Sequence, residues 1–314
     1  MKIGECVVAI ICTAYNHEPY IRKCLEGFVV QKTNFSFVAI VHDDASNDKT
    51  ASIIREFEDK YPDIIVPIYE VENQYSKHDG QLHAIIEREL NRISPKYIAI
   101  CEGDDYWDDP YKLQKQVDTM EADKTISLCY TKSKSHSTTQ NEFVKVRHTK
   151  CRDFRTFLLY DETITLTALM KYDQYKAYYA DIQPEKRNWL MGDTPLWLWL
   201  SKNGTIAPLD IITGVYNAHE GSVSRSGAYR DRVRFNKSAL DIRLFFVDKY
   251  NDCHDLVPYL YDTYYRSNMN DAYRFGETVE CWKNFFKIDH KVKSDYIAVI
   301  RLIPRNVYRL IFNK

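Results

Sequence analysis

The chain has 314 residues, of which 45% are hydrophobic and 28% are charged, and its formal net charge is -1. This length suits one large domain, or one domain with an appended subdomain. A net charge so close to zero gives no electrostatic support for a nucleic-acid partner, and none is expected. The eight cysteines show no C-x-x-C spacing, and several lie in or beside apolar runs, so we expect reduced core thiols in a cytoplasmic protein.

The first 130 residues alternate short apolar runs with segments of helical period. The apolar runs lie at 7–13, 37–42, 64–70, 97–101 and 126–130. The helical segments centre on 21–28, 53–57, 82–93 and 113–120. This alternation predicts an α/β fold with a mostly parallel central sheet flanked by helices. The first run is too short to span a bilayer and no cleavage site follows it, which favours a strand over a signal peptide.

The second half begins with a polar, cationic stretch at 131–150, which predicts a mobile or hairpin insertion outside the core. Regular patterning then returns, with helices near 153–160 and 172–182, a helix in "DTPLWLWLSKNG" and a strand in "TIAPLDIITGVYNAH". From about residue 230 the pattern indicates helices rich in tyrosine and phenylalanine. The tail suits either a membrane-surface segment or a helix docked on its own domain, and Pro304 favours docking.

The predicted strand ends carry the functional information, because ligands bind at the carboxyl ends of strands in open α/β sheets. Two of these ends are acidic, in "HDDAS" and "CEGDDYW", and the first strand ends in "TAYNHE". The glycine-rich loops that hold phosphates through backbone N–H groups are missing. Carboxylates are suitable ligands for Mg²⁺ or Mn²⁺. We therefore interpret "EGDD" as one half of a clamp that holds a diphosphate through a divalent cation.

Three segments carry a resemblance: "VVAIICTAYNHEPYIRKCLEGF", "FVAIVHDDASNDKT" and "YIAICEGDDYWDDPYKLQKQV". They resemble the consecutive nucleotide-binding segments of family 2 glycosyltransferases, which are inverting enzymes of the GT-A fold. The resemblance extends to "MGDTPLWLWLSKNG" and "YNAHEGSVS", so it spans roughly 7–225. It implies a GT-A domain at 1–228, with a nucleotide-binding half at about 1–130 and an acceptor half at about 131–228. A helical C-terminal extension follows at 229–314.

The resemblance also implies which residues contact the nucleotide base. Three residues of the first loop would line it: Thr13, Tyr15 and Asn16. Tyr15 would stack on the base, and Asp43 or Asp44 would accept a hydrogen bond from it. Ala45 stands where the family has glycine. The other interpretation of the two aspartates is a set of Asx turns and caps for the following helix.

The metal assignment follows from "EGD", which lies where the family has D-x-D. Asp104 is then the expected ligand of Mn²⁺ or Mg²⁺, and Glu102 lies near the ribose or a metal-bound water. The resemblance implies that Gly103 and Asp105 would complete the nucleotide site, and that His219 would contact the metal or the diphosphate. Two further acids, Asp108 and Asp109, precede a helix and suit its N-terminus instead.

Asp193 matches the position of the family's catalytic base. An inverting transfer needs one carboxylate to take the proton of the acceptor hydroxyl as its oxygen attacks the anomeric carbon. Asp193 and Thr194 also precede Pro195, which makes either residue a natural helix N-cap. The two roles are compatible, because a residue at a helix start is rigidly oriented.

The resemblance implies a metal-dependent glycosyltransferase that uses a nucleotide-sugar donor, with a UDP-sugar expected. The acceptor would be a saccharide or a lipid-linked saccharide of bacterial surface polysaccharide synthesis. Such an acceptor implies a cytoplasmic enzyme at the inner face of the membrane, with the C-terminal segment as a peripheral contact. Two alternatives stay open: a non-catalytic nucleotide- or carbohydrate-binding module, and a sugar nucleotidyltransferase, whose expected glycine-rich loop is missing here.

Overall fold

The computed structural model describes residues 6–77, 79–137, 142–147, 151–160, 165–218 and 227–302. Contacts divide the chain into two compact units. We call the first, Met1–Arg187 with Leu196–Ser222, the sheet unit. We call the second, Asn188–Pro195 with Val223–Lys314, the helical unit. The predicted nucleotide-binding and acceptor halves are functional divisions, and they stay predictions.

Nine strands of the described residues form one sheet. They are β1 (Cys6–Ala14), β2 (Ser36–Asp43), β3 (Ile65–Tyr69), β4 (Tyr97–Ile100), β5 (Tyr106–Trp107), β6 (Ile126–Ser137), β7 (Glu142–Arg147), β8 (Ala168–Lys171) and β9 (Thr205–Ala218). Their order is β3-β2-β1-β4-β8-β6-β9-β5, with β7 paired to β6. The first four in this order are mutually parallel, so the carboxyl ends of β1, β2 and β4 share one edge. Beyond them β8 runs antiparallel between β4 and β6, and β6 pairs parallel with β9.

Helices flank the sheet and continue after it. Seven lie along the chain up to residue 203: α1 (Ile21–Val29), α2 (Thr50–Lys60), α3 (Gln81–Ile93), α4 (Lys112–Ala122), α5 (Phe154–Leu159), α6 (Tyr172–Ile182) and α7 (Asp193–Asn203). Four more follow: α8 (Tyr229–Tyr250), α9 (Val257–Phe275), α10 (Thr278–Lys287) and α11 (Lys293–Ile300). The predicted α/β fold, with a flanked central sheet and C-terminal helices, is confirmed.

The core lies between the sheet and its helices. Val8 and Ile10 of β1 and Leu25 and Phe28 of α1 are fully buried in one apolar cluster. The helical residues recur at three- and four-residue spacing, which places them on one face of α1. All eight cysteines are free thiols, and seven of them are buried.

The polar stretch that follows residue 130 corrects one expectation. A hairpin is present, because β6 turns back antiparallel into β7. The first part of the stretch is nevertheless core: Thr131, Ser133 and Ser135 are buried in β6 beside β9. The expectation that 131–150 lies outside the core is therefore wrong for this part. Hydroxyl side chains are small enough to be buried here. Thr131 Oγ1 lies 2.6 Å from Thr213 Oγ1, so these two hydroxyls form a buried hydrogen bond.

The C-terminal region was predicted either to contact a membrane or to dock on its own domain. Within the described residues, no helix is both long and apolar enough to cross a bilayer. Residues 303–314 lie outside the described residues, and Pro304 is among them. Both readings of the tail, as a membrane contact or a docked helix, therefore stay predictions.

Candidate active site

The loops after β1, β2 and β4 are joined by backbone hydrogen bonds at the shared edge of the sheet. The Asp44 N–H donates to the carbonyl of Ala14, and the Gly103 N–H donates to the carbonyl of Thr13, both at 2.9 Å. These bonds fix the three predicted segments against each other. The three predicted segments therefore lie together at the strand ends, where backbone hydrogen bonds join them.

The two adjacent aspartates at the end of β2 have different partners. Asp43 is buried, at 3% exposed, and its Oδ2 accepts only a long 3.4 Å bond from the Ser46 N–H. Its Oδ1 is buried without a hydrogen-bond donor among the described residues. Asp44 accepts the N–H groups of Gln74 at 2.6 Å and Tyr75 at 3.0 Å, one on each oxygen. Asp43 thus keeps one carboxylate oxygen without a donor among the described residues, whereas Asp44 holds a neighbouring loop.

In the loop after β1, the Tyr15 side chain is exposed, whereas the Asn16 side chain bonds to the loop after β2. Tyr15 is 44% exposed at the end of β1, which suits a ring that stacks on a base. Asn16 has a positive φ of 54°, which asparagine tolerates, and its Oδ1 accepts the Asn47 N–H at 2.8 Å. The Asn16 N–H in turn donates to Ser46 Oγ at 2.9 Å. Asn16 therefore joins the first loop to the second.

Three carboxylates gather after β4. Ligand oxygens of Glu102, Asp104 and Asp105 all lie within 4.8 Å of one another. Glu102 is exposed, Asp104 is half-buried and Asp105 is buried. A tight turn creates this proximity, because the Asp105 N–H donates to the carbonyl of Glu102 at 3.0 Å. Like charges this close raise each other's energy unless a cation or donors compensate for them.

The donor set fits a hard divalent cation. Oxygen ligands from two or three carboxylates, with open positions for water and substrate, are what Mg²⁺ and Mn²⁺ prefer. Asp105 Oδ1 already accepts the Asn217 N–H at 2.8 Å, so Asp105 serves mainly to position the turn. Asp104 and Glu102 are the more exposed members of the group, and they are the residues that would hold the ion.

Gly103 permits the close approach of this turn to the first loop. A Cβ at position 103 would lie 2.9 Å from His17 Nδ1 and 3.0 Å from both Ala14 Cβ and Ile21 Cδ1. Cβ contacts this short require these side chains or the turn itself to shift, so a larger residue is disfavoured at position 103. Gly103 thus contributes through packing.

Two residues of this site were not singled out from the sequence. Asn217, near the end of β9, donates its N–H to Asp105 and its Nδ2 to the Asp104 carbonyl, the latter at 2.6 Å. Tyr75, in the loop held by Asp44, is 49% exposed, and its pKa is raised by partial burial and by the negative charge of nearby Glu102. Asn217 lies inside "YNAHEGSVS", the segment of the resemblance, whereas Tyr75 lies in a polar loop without a motif.

The remaining acids near the turn have local partners. Asp109 accepts the Tyr111 N–H at 2.8 Å and pairs with Lys115 at 2.6 Å, while Asp108 pairs with Lys134 at 3.1 Å. Asp109 therefore lies just before α4 and pairs with a lysine of that helix, whereas the partner of Asp108 belongs to β6. The interpretation of the pair as acids of a helix N-terminus stays a prediction.

Asp193 is the first residue of α7 and belongs to the helical unit. It is half-buried, and its Oδ1 accepts the Thr194 N–H at 2.7 Å. Its place at the helix start agrees with the sequence pattern, while its role as a base stays a prediction. His219 lies outside the described residues, and so its predicted metal contact also stays a prediction.

Parallel strands that end in a carboxylate cluster, without a glycine-rich phosphate loop, agree with the predicted GT-A fold. The sequence model described as glycosyl transferase family 2 matches residues 9–176. The chain therefore belongs to glycosyl transferase family 2. The predicted family is confirmed.

The chain is similar to an uncharacterized protein and to two solved structures. The uncharacterized protein Rv1520 of Mycobacterium tuberculosis is 32% identical over 231 residues, which cover 73% of this chain and 63% of that protein. The match thus spans less than two thirds of the length of this relative. The crystal structure of S. aureus TarS 1-349 with UDP-GlcNAc has a TM-score of 0.55 at 14% identity, covering 97% of this chain and 92% of that one. The mannosyltransferase PcManGT of Pyrobaculum calidifontis, solved with GDP-Man and Mn²⁺, has a TM-score of 0.56 at 14% identity, covering 99% and 84%. At this identity the two structures establish the fold alone.

Proposed function

We propose that this chain is an inverting, metal-dependent glycosyltransferase that moves a sugar from a nucleotide-sugar donor to an acceptor hydroxyl. The observation that carries the proposal is the carboxylate cluster of Glu102, Asp104 and Asp105. It lies at the same sheet edge as the buried Asp43 Oδ1, which has no donor among the described residues. One feature suits a diphosphate-bound cation and the other suits a base N–H. The expected donor is a UDP-sugar.

The donor's base is proposed to lie beside the first two loops. Asp43 Oδ1 accepts the N–H of the uracil edge, and Tyr15 stacks on the ring. Asp43 is chosen over Asp44 because both oxygens of Asp44 already accept backbone N–H groups. Thr13 and Asn16 complete the base site from the end of β1.

The diphosphate is proposed to bind through a divalent ion held by Asp104 and Glu102, with His219 as a further contact. When bound, the ion supplies positive charge that stabilises the leaving diphosphate. Mn²⁺ is the ion chosen for the tests, because the fold neighbour PcManGT was solved with GDP-Man and Mn²⁺. TarS was solved with UDP-GlcNAc, which supports the choice of a nucleotide sugar as donor.

Asp193 is proposed as the catalytic base. The bond between the anomeric carbon and the diphosphate oxygen breaks, and its electron pair leaves with the diphosphate. The acceptor oxygen bonds to the same carbon from the opposite face, and its proton passes to Asp193. The acceptor is proposed to be a saccharide or lipid-linked saccharide of surface polysaccharide synthesis, reached at the inner face of the membrane.

The experiment that tests the base uses Asp193→Asn with a matched control. Asp173 stands in the first turn of α6, and its Oδ1 accepts the N–H of the next residue at 2.7 Å, as Asp193 Oδ1 does. The measured quantity is Mn²⁺-dependent release of nucleoside diphosphate from a panel of UDP- and GDP-sugars, with water or a supplied saccharide as acceptor. We expect Asp193→Asn to reduce release at least a hundredfold while nucleotide affinity stays within twofold. Asp173→Asn should match the wild type in both, and a loss of nucleotide affinity in Asp193→Asn would show that Asp193 is a structural cap.

A further inference from the structure

A cleft of about 480 Å³ lies entirely within the helical unit, between the start of α9 and the turn after α10. Seven residues line it: Val257, Pro258, Tyr261, Asp262, Tyr265, Lys287 and Asp289. Its volume falls in the range of pockets that bind small ligands. None of these residues has a role in the proposed donor site, so the cleft needs a separate explanation.

Two tyrosines form an aromatic wall of the cleft. Tyr261 and Tyr265 are one turn apart on α9, and their rings stack with centroids 6.3 Å apart and planes at 30°. Tyr261 is 40% exposed, so part of its ring faces solvent beside the Tyr265 ring. The Lys287 ammonium lies 5.4 Å from the Tyr265 ring centroid, which adds a cation–π contact.

The opposite side of the cleft is rigid. Asp262 is 1% exposed and accepts the N–H groups of Asp289 at 2.7 Å and His290 at 2.9 Å. Its Oδ2 also lies 2.8 Å from His290 Nδ1. Because these bonds use both oxygens of Asp262, this carboxylate fixes the turn that carries Asp289. The cleft is therefore preformed, and Asp262 is not arranged to hold a cation.

The chemistry of the lining selects among ligands. The apolar face of a pyranose ring packs on an aromatic ring, and its hydroxyls need both donors and acceptors at the rim. Tyr261 and Tyr265 supply the faces, Lys287 donates, and Asp289 accepts. The lining has one ammonium and two carboxylates, so it offers a phosphate or another anion no cluster of cationic groups.

We propose that this cleft binds a neutral saccharide unit, with Tyr261 as the stacking platform and Lys287 and Asp289 as hydrogen-bonding partners. The identification of this saccharide as part of the acceptor chain rests on the proposed transferase function. The binding of a sugar in the cleft does not, because it uses only residues of α9, α10 and the turn after α10.

The test is a saturation-transfer NMR titration of the full chain. The probes are the methyl glycosides of glucose, galactose, mannose and N-acetylglucosamine, each without nucleotide or metal. We expect at least one glycoside to bind, and Tyr261→Ala to weaken its affinity at least tenfold. Tyr261→Phe keeps the ring and should stay within threefold of the wild type.

Tyr259→Ala is the matched control, because Tyr259 is 43% exposed on the same helix but does not line the cleft. It should bind the glycoside as the wild type does, and circular dichroism should find all three variants folded. Binding that Asp104→Ala leaves unchanged would separate this site from the donor site, whose own test is metal-dependent nucleotide binding. The proposal is overturned if no glycoside binds the wild type, if Tyr261→Ala binds normally, or if Tyr259→Ala loses binding equally.

Discussion

The carboxylate of Asp43 is buried at the end of β2, and its Oδ1 meets no donor among the described residues. A buried acceptor without a donor costs free energy, and a hydrogen bond to a charged group contributes about 1.5–3 kcal/mol when the partner arrives. In the role proposed for Asp43, the hydrogen bond from the base would offset part of the free energy that burial of this carboxylate costs the folded protein.

Replacing this carboxylate tests the role directly. We expect Asp43→Asn to weaken UDP binding about tenfold to a hundredfold, because an amide lacks the charge that strengthens the bond to the base N–H. Calorimetric titration in the presence of Mn²⁺ measures the change. Asp59→Asn, which alters an exposed aspartate of α2, is the control and should bind UDP normally. Unchanged affinity in Asp43→Asn would remove Asp43 from the base site.

Ala45 holds a backbone conformation that favours glycine. Its φ is 61°, at the position where the family resemblance places a glycine. The left-handed region costs an L-residue roughly 1–2 kcal/mol, part of which glycine loses again through its greater freedom in the unfolded chain. The loop thus adopts a left-handed conformation at residue 45, in which alanine is strained.

We therefore expect Ala45→Gly to raise the free energy of unfolding by about 0.5–1 kcal/mol, measured by urea denaturation. The same substitution at Ala51, inside α2, should lower it by about 1 kcal/mol, because glycine is a poor helix former. Equal destabilisation by both substitutions would mean that the left-handed conformation at residue 45 carries no strain.

At the scale of elements, α4 is fastened to the sheet by a polar contact within an apolar core. Gln116 donates through Nε2 to the carbonyls of Cys129 at 3.0 Å and Thr167 at 2.9 Å. Its Oε1 accepts a 2.6 Å bond from Lys112, whose ammonium lies 4.1 Å from the Trp107 ring centroid. Lys112 is fully buried, and burial lowers its pKa to about 7 despite these contacts.

This lowered pKa predicts a dependence of stability on pH. Between about pH 7 and pH 10 the unfolded chain keeps the Lys112 proton, whose pKa is then near 10.4, while the folded chain loses it. The unfolded state binds more protons, so Lys112 makes stability rise with pH in this window, by up to about 1.4 kcal/mol per pH unit. Below pH 7 both states are protonated, and the cost of burying the charge is constant.

Lys112→Met isolates this contribution. Urea denaturation at pH 7, 8 and 9 should show that the free energy of unfolding of the wild type increases relative to that of the variant as the pH rises. The comparison with the variant is needed because buried thiols have the opposite effect on stability. Burial raises the pKa of Cys129 to about 12, which lowers the free energy of unfolding above the ordinary thiol pKa. Parallel pH profiles for the two proteins would mean that Lys112 stays charged in the fold.

The elements also show how far the sequence predicts this fold. Each apolar run before residue 130 became a strand, because residues such as Val8 and Ile10 must be buried on a sheet. The insertion of β8 between β4 and β6 was not predicted, since it depends on pairing between segments about 70 residues apart. In the same way Asn217 joins the site through bonds to residues more than 100 positions away. Local patterns carry no such information.

At the scale of the whole molecule, the division into two units follows contacts that the sequence pattern does not reveal. Residues 188–195 belong to the helical unit because Trp189 packs edge-on against Phe245, and the Leu190 N–H donates to Ser238 Oγ at 2.9 Å. The candidate base Asp193 lies in this segment. The helical unit therefore carries both Asp193 and the proposed saccharide cleft, while the sheet unit carries the proposed donor site.

The central claim is that the carboxylate cluster of the sheet unit binds a nucleotide through a metal ion. Calorimetric titration with UDP, GDP and other nucleoside diphosphates, with and without Mn²⁺, tests it most directly. The account predicts that one nucleotide binds only with Mn²⁺, and that Asp104→Ala abolishes this binding. Asp108→Ala, which removes an exposed acid of the same stretch, should keep it. Nucleotide binding that is equally strong without Mn²⁺, or that persists in Asp104→Ala, would contradict the account.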